Sequence, residues 1–141
     1  MSFDLQVLNG DLVIKNSDLA IVRGNAKLVQ DLLKIALTTA GGNVLNPWYG
    51  TLISQSLIGS VLQSDILISV AQSQLQNAVQ NLKNLQNIQV SSGQKVSPDE
   101  QIAFIQNISV VRSPADPRLF SVLISVLSRA FGKVTAEFTV S

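Results

Sequence analysis

The chain has 141 residues and a net charge of +1, with 46% hydrophobic and 13% charged residues. This length predicts one domain with a sizeable core, and the low charge hints that partners cover part of the surface. Because the basic residues form no run and Cys and His are absent, we expect no nucleic acid partner, disulfide, thiolate metal site or cofactor. The start, "MSFDLQVLNG", lacks the pattern of a signal peptide, and no apolar run approaches the roughly 20 residues that cross a bilayer. We therefore expect a soluble chain made in a cytoplasm, with no membrane partner.

The first predicted elements are a hairpin and a helix. Residues 11–24, "DLVIKNSDLAIVRG", alternate apolar and polar side chains on both sides of the turn-forming "NSD", which is typical of a hairpin. Asn25 is placed to cap a helix over 26–38 that carries one apolar face and ends at Gly41-Gly42. The pattern indicates no internal repeat.

The loop after this helix concentrates rigid side chains. Its sequence, "TTAGGNVLNPWYGTLI" (38–53), contains the only Trp and the only Tyr of the chain. The aromatic pair could cover the core between helices, or it could anchor a partner, because rigid aromatic side chains lose little entropy on binding. Both interpretations remain open. The candidate anchor residues are Thr38, Gly41, Pro47, Trp48, Tyr49 and Gly50.

Two helices are predicted next. A short one over 51–58 ends at Gly59, and a long one over 65–89 begins after Ser64. Apolar residues recur along the long helix at steps of three and four, as in a packed seam. Its opposite face is rich in Gln, Asn and Ser. The seam predicts core packing, and the uncharged face is compatible with burial against a neighbouring subunit, since interfaces are depleted in Lys and Glu.

The last third of the sequence predicts a sheet. Residues 90–100 read as a linker, and at its end Ser97-Pro98-Asp99-Glu100 has the form of a capping box. Strands are expected near Ile108, over 119–127 and over 133–140, with a proline-containing turn between the first two. Segment 133–140 alternates strictly and contains no Pro, which is typical of a sheet edge open to pairing. The predicted fold is α+β: an N-terminal β-hairpin, a helical middle with one long helix, and a C-terminal antiparallel sheet in one domain (1–141).

Catalytic interpretations find little support. The nine carboxylates mostly stand where caps and turns use them, and Glu100 with Asp116 is the least unsuitable pair for glycosidase chemistry. Ser92 and Lys95 form a Ser-x-x-Lys spacing within the linker, without companion motifs, so chance explains it better. We expect no enzyme.

The order of features resembles the baseplate-wedge or sheath-initiator family of contractile phage tails, the "lysozyme-like" wedge proteins, with members in type VI secretion and contractile injection systems. The chain shares the family's Gly-Asp-Leu phrase near its start and a Leu-rich helix with a Gln in its first turn, here Gln30. The loop is the most specific part of the resemblance. A Leu-Gly step at 57–59 then leads to the long helix. The matching positions of the loop are Thr38, Gly41, Pro47, Tyr49 and Gly50.

The resemblance implies a structural role in the virion, within a tail baseplate assembled in the host cytoplasm. Six copies would surround the tail tube, join other baseplate wedge proteins and present a sheet edge to the tail sheath protein. The residues expected to bind the sheath are Lys133, Val134, Thr135, Ala136, Glu137, Phe138, Thr139 and Val140. Two departures stand out: Gly42 replaces a Glu that many members carry, and the family's Glu-Pro-Arg phrase is not preserved at 99–101, so Arg112 or Arg118 would have to supply its contacts.

Two alternatives stay open at this point. The family's lysozyme-like label suggests a peptidoglycan-degrading glycosidase, which would need two carboxylates in one cleft. A self-associating scaffold unrelated to tails is the other. Turnover distinguishes the first from an assembly protein, and the mass in solution distinguishes the second.

Overall fold

The computed structural model describes residues 3–53 and 64–140 and confirms the α+β class. The predicted short helix over 51–58 lies mostly outside the described residues. Six two-residue strands come first: β1 (Asp4–Leu5), β2 (Val7–Leu8), β3 (Asp11–Leu12), β4 (Ile14–Lys15), β5 (Asp18–Leu19) and β6 (Ile21–Val22). They are followed by α1 (Gly24–Leu37), α2 (Ser64–Ser91), a 3₁₀ turn (Pro98–Glu100), β7 (Ile102–Arg112), β8 (Phe120–Ser128) and β9 (Lys133–Val140).

Residues 4–24 contain a seven-residue repeat, so the expectation of no internal repeat is wrong. The three units read DLQVLNG, DLVIKNS and DLAIVRG. The strand pairs are β2 with β3, β4 with β5, and β6 with β1, so each pair joins the end of one unit to the start of another. The turn predicted at "NSD" does form between β4 and β5, but the predicted hairpin does not extend further, because its outer residues pair elsewhere.

A closed ring of backbone hydrogen bonds holds the three units together, and we call residues 4–22 the three-repeat cap. The N–H of Val13 donates to the carbonyl of Gln6 at 3.0 Å, and the N–H of Gln6 donates to the carbonyl of Ala20 at 2.8 Å. The N–H of Ala20 closes the ring on the carbonyl of Val13 at 2.8 Å. The Asp that opens each unit accepts the N–H of the following Leu at 2.8 Å. Identical local bonds in all three units explain why the sequence repeats.

Helix α1 begins two residues before the predicted start, and Asn25 lies inside it rather than at its cap. The residue before the helix is Arg23, whose side chain makes no capping bond. The N–H of Gly24 instead donates to Oε1 of Glu100 at 3.2 Å. A carboxylate at a helix N-terminus satisfies an unpaired donor and interacts well with the helix dipole. The cap therefore comes from a residue 76 positions away in the chain.

The helices cover one face of the three-stranded antiparallel sheet β7-β8-β9. Helix α2 packs on β7, helix α1 packs on β9, and the two helices contact each other. The predicted seam of α2 faces the core: Ala71, Leu75, Ala78 and Leu82 are all buried. The helix supplies one buried amide as well, because Gln86 accepts the N–H of Ile102 at 2.9 Å. Both helices thus support the sheet, and its opposite face mixes polar residues such as Thr135 with apolar ones such as Phe104 and Val111.

Candidate functional site

Strand β9 occupies the predicted residues and lies at one edge of the sheet. Its side chains alternate as predicted, with Val134, Ala136 and Val140 buried and the polar residues exposed. Within residues 3–53 and 64–140, β8 is the strand that pairs with β9, and no strand pairs with its other side. The outer edge is therefore a row of main-chain groups without a strand partner in the described part of the chain.

The hairpin between β8 and β9 shows which main-chain groups face outward. The N–H of Ser128 donates to the carbonyl of Gly132 at 2.9 Å, and these two residues stand opposite each other in the register. In an antiparallel ladder, hydrogen-bonded and non-hydrogen-bonded pairs alternate, so the even-numbered residues of β9 bond to β8. The odd-numbered residues direct both their N–H and their C=O groups away from the sheet. These outward-facing residues are Lys133, Thr135, Glu137 and Thr139.

The opposite edge of the sheet is built differently. The register of β7 on β8 shifts between Ile102 and Phe104 and again between Ile105 and Asn107. Such bulges twist an edge strand and discourage pairing with another chain. The register of β9 on β8 runs without a shift over its whole length. Of the two edges, the one at β9 is thus suited to accept a further strand.

A groove of about 480 Å³ lies beside this edge. Leu33 and Leu37 of α1 form its floor with Phe138 of β9, and Val7 of the three-repeat cap forms the far wall beside the turn at 9–10. Lys34 and Glu137 add charge to the lining. The three-repeat cap and α1 thus place an apolar slot next to the outward-facing groups of β9.

Gln30 fixes the wall of this groove. It is buried, and its Oε1 accepts the N–H of Val7 at 2.9 Å, while its Nε2 donates to the carbonyl of Leu5 at 2.8 Å and to Oδ2 of Asp4 at 3.1 Å. Lys34 forms an ion pair with the same carboxylate. Partial burial raises the pKa of Asp4, but the hydrogen bond and charge of Lys34 outweigh it and leave that pKa below its ordinary value. One helix side chain thus locks the cap onto α1.

The loop with the candidate anchor residues is closed at its neck. The N–H of Thr51 donates to the carbonyl of Thr38 at 2.8 Å, and the N–H of Ala40 donates back to the carbonyl of Thr51 at 3.0 Å. Further out, the N–H of Gly41 donates to the carbonyl of Pro47 at 3.0 Å. Gly50 passes the neck with φ +113°. These bonds make the loop a closed projection at the end of α1.

The two aromatic residues of the loop have different environments. Tyr49 packs against the core, whereas Trp48 is 42% exposed and meets the Tyr49 ring edge-on, with 6.1 Å between centroids. Tyr49 therefore fits the interpretation that the aromatic pair covers the core, whereas Trp48 is exposed enough to contact a partner. The exposed side of Trp48 lies beside Asn81 and Leu85 of α2.

The three most exposed of the large hydrophobic residues that the structure describes were not singled out from the sequence. Val44 and Leu45 at the loop tip are 91% and 89% exposed, and Asn43 Oδ1 holds this tip by accepting the N–H of Leu45 at 3.0 Å. Phe131, at the turn between β8 and β9, is 87% exposed with φ +62°, where Gly is the usual residue. The signal for the tip is the pattern "NVLN", in which two apolar residues stand between turn formers without a periodic partner.

Burial predicts a distinctive pH dependence for Tyr49. Burial raises its pKa to about 12, helped by the negative charges of Asp31 and Asp4. Between pH 10 and 12 the unfolded chain loses the tyrosine proton while the folded chain keeps it, so stability falls as the pH rises through this window. We expect Tyr49→Phe to remove this part of the pH dependence of the unfolding free energy. Because the chain has a single Tyr, its tyrosinate absorbance reports the pKa directly, and a midpoint near 10 would contradict the prediction.

The structure separates the carboxylates that were paired as possible glycosidase residues. Glu100 is buried just before β7, and Asp116 lies in the turn after it. The 11 residues of β7 span roughly 35 Å at about 3.3 Å per residue. Glycosidases hold their two carboxyl groups within about 10 Å. This pair is therefore not assembled into one site.

Features that would assign a function directly are not found in residues 3–53 and 64–140. No group of three or more His, Cys, Asp and Glu side chains is placed there to hold a metal ion. No helix of this part combines the length and the apolar character needed to cross a membrane. Comparison with models of protein families finds no match for the chain, and comparison with curated proteins finds none either.

Proposed function

We propose that this chain is a structural subunit of a contractile tail baseplate that templates the first sheath ring by adding a strand to β9. Six copies surround the tail tube and join other wedge subunits in the virion. The family resemblance suggests this role, and the single observation that carries it is the unbulged outer edge of β9 beside an apolar groove. Strand addition uses main-chain hydrogen bonds for affinity and alternate side chains for specificity.

The main-chain groups of the edge supply only part of the affinity for an added strand. Four outward-facing residues provide four N–H and four C=O groups. Each main-chain hydrogen bond contributes about 1 kcal/mol net, and association itself costs at least about 4 kcal/mol. Hydrogen bonds alone thus leave a modest surplus, so affinity has to come from side chains in the groove or from several subunits acting together.

Other surfaces remain for the wedge partners. The exposed side of α2 carries amides such as Gln80 and Asn84, whose side chains bond to each other at 3.2 Å, and few charges. The loop tip with Val44 and Leu45 projects beyond the C-terminal end of α1. Both surfaces have the uncharged character of interface centres, which are depleted in Lys and Glu. We assign them to contacts with neighbouring wedge subunits or the tube.

Thr135→Pro tests the function without removing the strand. Deleting 133–141 would take buried Val134, Ala136 and Val140 from the core and unfold the sheet. The N–H of Thr135 points outward, so Pro there removes an outer donor and leaves the ladder to β8 intact. We expect baseplates that contain the variant but start sheath assembly at least about tenfold less often, counted by electron microscopy.

Two control variants show whether the effect comes from the outward-facing N–H. Thr135→Val also loses the hydroxyl that lies 3.3 Å from that of Ser125 but keeps the N–H, so it should assemble sheath normally. Ala136→Pro removes an inward N–H and should lower the melting temperature, which confirms the direction of the bonds. Normal sheath assembly on Thr135→Pro baseplates would contradict the proposed function.

A further inference from the structure

We infer that the outer edge of β9 and the adjoining groove form one slot that selects its strand by side-chain pattern: it takes an extended segment whose helix-facing side chains are apolar. The inference rests on the proposed function and adds the chemical class of the partner. An edge strand by itself accepts almost any sequence, because main-chain groups are the same in all residues. Selection requires a wall beside the edge, and α1 with the three-repeat cap provides one.

The first step concerns which side chains of an added strand meet the groove. Residues directly opposite each other in neighbouring strands lie on the same face of the sheet. The even-numbered residues of β9 face the helices, as the burial of Val134 and Ala136 shows. Every second side chain of an added strand therefore points to the flank of α1 that extends past β9. Leu33 and Leu37 form that flank.

The second step concerns the chemistry of the groove. Phe138 is the helix-facing residue of β9 that stays half-buried, and it shares the groove with Leu37, which is 58% exposed. An apolar side chain from an added strand would cover both and gain roughly 25 cal/mol per Å² removed from water. A polar side chain placed on Phe138 and Leu37 would lose its water without a hydrogen-bond partner on either residue, which costs about 1–3 kcal/mol. An added strand whose helix-facing side chains are polar is therefore disfavoured.

The third step concerns the occupant. A second copy could offer its own β9, but the helix-facing residues of that strand are already covered by its own α1. In such a pairing, α1 and the three-repeat cap of the second copy would also compete for the space of the groove. A segment without a covering layer of its own, such as an extended arm of another protein, fits the slot without this conflict. We assign the slot to such an arm.

The test adds the strand to the full chain. A two-residue Asn-Gly turn and an eight-residue strand are appended after Ser141, so that the strand can fold back on β9. One version reads Thr-Val repeated four times and places its four Val side chains opposite Val140, Phe138, Ala136 and Val134. The other reads Val-Thr repeated four times, and a shift of one residue moves all its Val side chains to the solvent face. Composition, length and turn are the same in both.

The expected result is slower amide hydrogen exchange at Thr135, Glu137 and Thr139 in the Thr-first version, by about tenfold relative to the Val-first version. Leu37→Gln, at an exposed position, should reduce this difference without unfolding the chain. Equal protection by both versions would overturn the selectivity and leave the proposed strand addition in place. Protection by neither, or greater protection by the Val-first version, would overturn the inference, and the former would remove the proposed function too. Pairing of unmodified chains through β9, seen as a dimer in solution, would also contradict an arm as the occupant.

Discussion

Replacing Glu100 by Ala is expected to lower the free energy of unfolding by about 2–4 kcal/mol. Its buried carboxylate accepts the N–H of Gly24 at 3.2 Å and the N–H of Ser97 at 3.3 Å. Removing it leaves two partly buried main-chain donors without this acceptor, and each costs about 1–2 kcal/mol, in the lower part of the range for buried groups. The cost is large because one side chain closes the 3₁₀ turn and the N-terminus of α1 at the same time.

Chemical denaturation of Glu100→Ala and Glu100→Gln measures this effect. The Gln side chain keeps one acceptor oxygen at nearly the same size, so it should recover part of the loss. Exposed Glu137 provides a matched control, since Glu137→Ala should change the unfolding free energy by less than about 0.5 kcal/mol. A loss below about 1 kcal/mol for Glu100→Ala would show that the helix end is satisfied in another way.

Gly50→Ala is expected to destabilise the fold by about 3 kcal/mol or more. Gly50 has φ +113°, a value that residues with a side chain rarely adopt, and an added Cβ would overlap the carbonyl oxygen of Thr38. That oxygen accepts the N–H of Thr51 at the loop neck, so it cannot move without breaking the closure. Backbone strain and steric overlap therefore add.

Gly41→Ala separates these two contributions. Gly41 lies in the same loop with φ +86°, but no atom of the described residues stands within 4 Å of an added Cβ. Its substitution should cost only the backbone strain, about 1–2 kcal/mol. Fluorescence of the single Trp48 during thermal unfolding follows both variants. Equal losses for the two substitutions would refute the steric part of the argument.

Much of the sheet and of the long helix follows from local periodicity. The alternation of 133–140 predicted β9 residue by residue, because one face of that strand packs on helices and the other faces water. The steps of three and four predicted the buried side of α2 for the same reason. In a long helix or strand with one buried face, apolar residues therefore recur at the period of that element and can be recognised in the sequence.

Two features were harder to foresee: the residue that caps the N-terminus of α1, and the strand pairing within the three-repeat cap. Strands of two residues are too short for an alternation pattern. Which strands pair depends instead on the closed ring of backbone hydrogen bonds among the three units. The start of α1 depends on Glu100, which the chain order separates from it by the whole of α2. A local rule pointed to Asn25 instead. Contacts between distant segments decided both cases.

The candidate site was predictable in part. The edge character of β9 followed from its sequence, whereas the groove beside it did not. The groove exists because Gln30 draws Val7 toward α1 and thereby places the three-repeat cap next to Phe138. A buried amide on an otherwise apolar helix face is the sequence feature that could have indicated this docking.

The ring within residues 4–22 also limits how the chain can vary. In a linear array each unit contacts only its neighbours, so units can be gained or lost with small penalties. Here Gln6, Val13 and Ala20 each donate to one member of the ring and accept from another. Removing or duplicating one seven-residue unit would keep the local hydrogen bonds within each unit but would break the closed ring of backbone hydrogen bonds. Copy number is therefore set by topology.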